Sequence, residues 1–153
     1  PEQVNAAVVA GTDVYFGGRF TAAWNSPSSS LTANNVARWD TLAQTWSSLG
    51  IGIANGVSGN YGVASIAVHG SDVYVGGSFT SAGGNASAAY TGLARWNKTA
   101  NAWSSVGTGI VGGNSPVFAL AANETDLFVG GDLTSAGGTP AANIARWNFT
   151  AGL

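Results

Sequence analysis

The stretch DVYVGGSFTSAGG, residues 72–84, sets a β-branched and aromatic run against two adjacent glycines. It returns as DLFVGGDLTSAGG at 126–138 and in altered form as DVYFGGRFTAAWN at 13–25. Alignment on Gly17-Gly18, Gly76-Gly77 and Gly130-Gly131 spaces the copies 59 and 54 residues apart. Recurrence of this kind is the signature of a repeat architecture, in which each unit buries its apolar face only against its neighbours.

Around the glycines the copies keep one plan. Each opens with a small apolar segment, VNAAVVAG, VASIAVHG or VFALAANE, followed by a turn, GTD, GSD or ETD. Beyond the glycines come NVARWD, GLARWN or NIARWN, and the first two copies close with TWSSLGIGI and AWSSVGTGI. These segments are strand-length, rich in β-branched and aromatic residues, and bounded by Gly, Asn, Ser or Asp. None carries a sustained helical period with caps. The pattern predicts an all-β chain of four-stranded antiparallel propeller blades, because a solenoid coil has a shorter period. The predicted blades span about residues 4–57, 63–112 and 117–153 of a single domain.

The glycine pair is expected to remove two Cβ atoms where backbones crowd at the hub, allowing a bulge or a positive φ. Small residues fit the innermost strand: Ala6, Ala7, Ala64, Ser65, Ala67, Ala119, Ala121 and Ala122. The indoles of the outer strands, each able to bury ~150–250 Å², are expected to fill the widening wedge between blades.

The run of apolar residues, double glycine, aromatic, six residues and Trp resembles the kelch repeat, at Trp39/Trp46 and Trp96/Trp103. The first aromatic is Trp here, where kelch repeats usually carry Tyr. The fuller wording, VGGSFTSAGG followed by ARWN and a further Trp, is similar to kelch-like propeller repeats of bacterial secreted or surface proteins and of fungal cortical polarity markers. That resemblance implies a propeller and leaves the role open, since propellers host many functions. In the third copy the partner of Trp147 falls at position 154, past Leu153. The third blade is therefore expected to lack its outer strand. Three blades do not close a ring of four to eight, so further blades or self-association are expected to complete it.

Composition narrows the role. Charged residues make up 8% of the chain and the net charge is −2, against ~25% charged residues in typical soluble domains. No basic footprint for nucleic acid exists, and no apolar run approaches the ~20 residues of a membrane span. The opening PEQVNAAVVAG has neither charged leader nor apolar core, so no retained signal peptide is expected. With no cysteine the chain forms no disulfide, and the coat of Ser, Thr, Asn, Gly and Ala suits an extracellular or cell-surface location.

Candidate chemistry is sparse. Asp13, Asp72, Asp126 and Arg38, Arg95, Arg146 stand at repeat-equivalent positions, either as a charged ring around a channel or as a structural pair within each blade. Repetition favours the structural pair, with Asp closing its hairpin and Arg bridging from the adjacent strand. His69 is the only histidine and is expected in a solvated turn; no zinc or copper set, nucleophile elbow or paired carboxylates accompany it. No metal, cofactor or catalytic activity is expected. Trp24, Tyr61 and Tyr90 stand outside the repeat scheme, as stacking platforms for sugars, as partner contacts, or as caps on blade edges. Asn-x-Ser/Thr sequons at Asn85, Asn97, Asn123 and Asn148 are possible glycosylation sites, with Asn97 and Asn148 in hairpins that would accommodate a glycan. The expected function is a non-enzymatic structural or adhesive surface module; a carbohydrate-binding propeller is the alternative, and an enzyme completed by other blades a third class.

Overall fold

A computed structural model of the protein describes residues 2–54, 62–112 and 117–151. The first sheet is a meander of β1 (Gln3–Ala10), β2 (Asp13–Arg19), β5 (Val36–Asp40) and β6 (Thr45–Ser48), ordered β1-β2-β5-β6. Between its second and third strands lies a hairpin of β3 (Ala22–Ser26) and β4 (Ser29–Thr32). A short strand, β7 (Ile53–Ala54), follows. The second sheet repeats the plan with β8 (Val63–His69), β9 (Asp72–Gly77), β12 (Leu93–Asn97) and β13 (Ala102–Ser105). Its inserted hairpin is β10 (Ser81–Ala82) and β11 (Asn85–Ala86), and β14 (Ile110–Gly112) follows the outer strand. The third sheet holds β15 (Ala119–Ala122), β16 (Asp126–Gly130) and β19 (Ile144–Asn148), with β17 (Leu133–Ala136) and β18 (Thr139–Pro140) as its insert. Among the described residues all pairings are antiparallel, and the third sheet has three strands. Regular helix among the described residues is confined to one 3-10 turn, Ala88–Tyr90.

Glycines serve two devices, for different physical reasons: a hub pair in every repeat and a turn pair in the second and third. At the hub, Gly17 and Gly76 leave room for the next sheet: a Cβ on Gly17 would collide with Val63, and one on Gly76 with Val117. Their neighbours Gly18 and Gly77 lie against the carbonyls of Gln3 and Gly62, where a bulge shifts the register between Val4 and Ala6 and between Val63 and Ser65. The bulge matches expectation, but the alternative does not hold: none of the six hub glycines has a positive φ. Positive φ is reserved for the second pair. Gly83 (+61°) with Gly84 (+82°) and Gly137 (+56°) with Gly138 (+87°) form two-residue turns whose mirror-image twist suits a hairpin. TSAGG is therefore the turn end of a hairpin.

The core lies between sheets rather than within them. Tyr15, Val36, Leu49 and Ile53 of the first repeat interlock with Val63, Ile66, Val73, Val75, Phe79 and Trp96 of the second, all buried. Tyr74, Leu93, Val106 and Ile110 meet Val117, Leu127, Val129 and Leu133 in the same way one sheet along. The first strands lie side by side, where Asn5 Nδ2 donates to the Val63 carbonyl (3.0 Å) and the Leu120 N–H donates to Ser65 Oγ (2.7 Å). Indole pairs occupy the outer strands: Trp39–Trp46 centroids lie 5.2 Å apart and Trp96–Trp103 centroids 5.4 Å apart.

The repeat boundaries differ from those read in sequence. Ile53 and Ala54, assigned to the first blade, pair with Ala82 and Ser81 in the insert of the second. Ile110 to Gly112 likewise pair with Ala136, Ser135 and Leu133 in the insert of the third. The reason is the free edge of each insert, whose unpaired backbone groups would otherwise be left bare beside an apolar cleft. Each exit segment thus staples its own repeat to the next.

Candidate functional site

The equivalent Asp and Arg residues form an ion pair inside each repeat. Arg38 Nε lies 2.9 Å from Asp13 Oδ1, a charge contact rather than a directed hydrogen bond, while the Arg95–Asp72 and Arg146–Asp126 separations are both 3.8 Å. The difference comes from the residue that ends the third strand. Asn97 donates to Asp72 Oδ1 (2.7 Å) and Asn148 to Asp126 Oδ1 (3.0 Å), whereas Asp40 in the first repeat has no proton to give. Arg38 instead bridges both carboxylates, reaching Asp40 Oδ2 at 2.8 Å. In all three repeats the Oδ1 of this residue also caps the following turn: Leu42 and Ala43, Thr99 and Ala100, or Thr150 and Ala151 donate their N–H groups. The Ala43 and Leu42 N–H groups, with Arg38, hold the Asp40 carboxyl below the usual range. For Asp126 the Thr125 hydroxyl and the Asn148 amide do the same. Tyr15, wholly buried, donates to Asp13 Oδ2 (3.1 Å); burial first, and the Asp13 charge second, push its phenol above the ordinary range.

These groups sit at hairpin ends, one set per repeat, and do not converge on a shared centre. His69 departs from its expected place. It ends β8, half-buried, with its ring stacked on Phe149 (3.9 Å, 13°) and Nε2 3.1 Å from the Glu124 carbonyl. The imidazole therefore belongs to the contact between second and third repeats, because Phe149 follows β19 and reaches back across the cleft.

Two depressions of ≈ 520 Å³ lie on the surface, one beside the insert of the third repeat and the more apolar one on the face of the first repeat turned away from the second. The latter is a groove lined by Phe16, Phe20, Ala23, Trp24, Ala37 and Trp46, with Glu2, Gln3 and Val4 at its rim. Its floor is a small cluster of Phe20, Ala23, Ala33 and Ala37 backed by Trp46. Equivalent residues in the second repeat, Phe79, Ala82 and Ala94, are covered by Leu49 and Ile53 from the first. The groove is thus half of an inter-repeat core. Its one carboxylate is occupied locally: Glu2 Oε1 accepts from the Thr21 hydroxyl (2.8 Å) and N–H (3.2 Å). A lining of this kind buries apolar side chains and offers a strand edge; it positions no acid and base toward a common point.

The aromatics singled out in sequence separate here. Trp24, 60% exposed, stands on the groove wall at the position that glycine holds in the other inserts. Tyr90 is half-buried against the core between first and second repeats, its 3-10 turn folding the ring inward, the placement of a cap on the blade edge rather than of an open stacking platform. Tyr61 lies outside the described residues. Among the sequons, Asn85 and Asn123 are exposed. Asn97 and Asn148 use both amide atoms in the turn network above, and Asn97 Nδ2 also reaches Ser71 Oγ at 3.4 Å. A glycan there would displace at least one of these bonds, which corrects the expectation of room in those hairpins.

Sequence reasoning missed the groove and the exit strands that explain it. The signal was present in LGIGI and VGTGI, which recur at Leu49–Ile53 and Val106–Ile110. Among known proteins, the family described as the Rax2 C-terminal beta propeller domain matches residues 55–152. Curated proteins give no match.

Proposed function

The chain belongs to the Rax2 C-terminal β-propeller family, and on that premise we propose that it is a non-catalytic structural module that works by joining further blades at its two end faces, outside the cell or at its surface. One observation carries this reading: the end faces bear the complementary halves of a contact made twice inside the chain. Val63 and Val117 are fully buried against Gly17 and Gly76. Val4, their equivalent, is 58% exposed, and a Cβ on Gly130 would meet nothing nearer than Ala119 at 3.8 Å. One end has the knob and the other an open socket. Ile144, 73% exposed, stands where Val36 and Leu93 are buried, so the socket end is apolar as well. Exposed apolar faces rimmed by polar residues mark association surfaces.

The low charge and the exposed sequons at Asn85 and Asn123 support the extracellular placement. Light scattering over a range of protein concentrations is the test. Association is expected, and Val4→Asp should shift it toward monomer with unchanged circular dichroism. A stable monomer at every concentration would remove the reading. Adhesion to carbohydrate is the second reading, favoured by the exposure of Trp24 beside Phe16 and Trp46. A glycan array should then give binding that Trp24→Ala abolishes; no binding ends that reading.

A further inference from the structure

We propose that the groove on the first repeat is a strand-addition site for the exit segment of another kelch-like blade, an extended stretch of the form Leu/Val-Gly-x-Gly-Ile that adds to the free edge of β3. The inference rests on the blade-joining reading above and specifies its chemistry at one face.

The chain contains two worked instances of the docked state. In the second repeat, Ile53 pairs with Ala82 and Ala54 with Ser81, the Gly83 N–H donates to the Gly52 carbonyl (2.9 Å), and the Trp103 indole N–H donates to the Leu49 carbonyl (2.7 Å). In the third, Ile110 pairs with Ala136 and the Gly137 N–H donates to the Gly109 carbonyl (2.9 Å). The two glycines of the segment are demanded by geometry. A Cβ on Gly50 would press on the Trp96 ring at 3.2 Å and one on Gly107 on the Trp147 ring at 2.9 Å, both at positive φ. Gly52, at φ +83°, passes so close to the Asn34 carbonyl that a side chain would strike it. The isoleucine is the anchor, fully buried at Ile53 and 2% exposed at Ile110.

The first repeat presents the matching half. By alignment on the glycine pair, Ala23 corresponds to Ala82 and Ala136 and Phe20 to Phe79; by alignment on the ARW motif, Trp39 corresponds to Trp96 and Trp46 to Trp103. Among the described residues β3 pairs with β4 alone in a sheet of two strands, where the other inserts make sheets of three. The Glu2 carboxylate marks the vacant strand: it accepts the Thr21 hydroxyl, while the equivalent Thr134 hydroxyl donates to the Val111 carbonyl of the docked exit strand (3.3 Å). Both exit segments of the chain are already built into its own sheets, so a second copy has no described segment to lend. The occupant is therefore a blade other than these three. Trp24, which replaces glycine on the groove wall, would close over the docked strand.

The test uses a synthetic peptide of residues 47–54, SSLGIGIA, titrated into the isotope-labelled chain and followed by amide and indole resonances. Saturable shifts are expected at Ala22–Trp24 and at the Trp46 indole N–H, with a dissociation constant on the order of 0.1–1 mM. Replacing the peptide's Ile53 by Asp should remove them, a comparison that leaves the protein untouched. In the protein, Trp46→Phe should weaken binding about 3- to 10-fold while the second-repeat resonances hold their positions. Absence of shifts, equal shifts with the Asp peptide, or groove shifts driven by an oligosaccharide alone would each overturn the proposal. Peptide binding by a chain that stays monomeric sinks blade joining through the paired end faces but not this site; association without peptide binding does the reverse.

Discussion

The two faces of the first repeat are made from the same sequence plan and have opposite fates. On the face toward the second repeat, Tyr15 and Val36 are fully buried. On the other, Phe16 and Trp46 meet edge to face at 5.1 Å over a shallow cluster and line an open groove. The same contrast runs along the chain, between Leu93 at 2% and Ile144 at 73% exposure. What differs is the neighbour and not the residue type. In a stacked repeat, burial is a property of adjacency, and a strand contributes stability only where another sheet covers it.

Two pairs of substitutions and one single change break or sharpen this contrast. The largest difference is expected at the equivalent aliphatic positions. Leu93→Ala should cost about 2–5 kcal/mol, because it opens a cavity between the second and third repeats. Ile144→Ala should stay within about 0.5 kcal/mol. Urea denaturation of both variants in dilute solution measures the gap, and equal losses would contradict the assignment of faces.

Next comes the hub. Gly76→Val forces a side chain onto Val117 and should cost about 1–3 kcal/mol by overpacking. Gly130→Val enters the open socket and should leave the monomer's melting temperature nearly unchanged, while reducing association by filling the place of the incoming valine. Thermal melts and light scattering read the two effects separately.

The smallest effect is electrostatic. Asp40 is held below its ordinary pKa by the Ala43 and Leu42 N–H groups and then Arg38. A folded value below the unfolded one means that the stability contributed is present above the unfolded pKa of about 4 and is lost as pH falls through the folded value. Asp40→Asn copies Asn97 and Asn148 and should flatten the decline in melting temperature below about pH 4, with little change at pH 7. Asp126 behaves with the same sign through Thr125 and Asn148, so an acid-sensitive component should remain. A variant with the wild-type acid profile would show that the turn carboxylate does not set it.

Much of this was legible in the linear text. The double glycine, the repeated ARWN and the outer indole pairs define sheets that need neighbours, and the order of strands in each meander follows from local turns. The ion pair within each repeat was legible for the same reason, since Asp and Arg recur at fixed positions on adjacent strands of one sheet. The exit strands were harder. Ile53–Ala54 and Ile110–Gly112 follow one repeat in sequence and hydrogen-bond in the next, so proximity along the chain assigned them to the wrong partner. His69 was misread similarly, because its stacking partner Phe149 is 80 residues away in sequence.

The sequence by itself determined the repeating sheet, its turns and its glycines, because these depend on φ preferences, side-chain alternation and contacts a few residues long. Only the tertiary structure decided which faces are covered, which strand edge stays free and where the groove lies. Burial and edge pairing are set by what arrives from elsewhere in the chain, and three near-identical repeats give no local signal of which one is left uncovered.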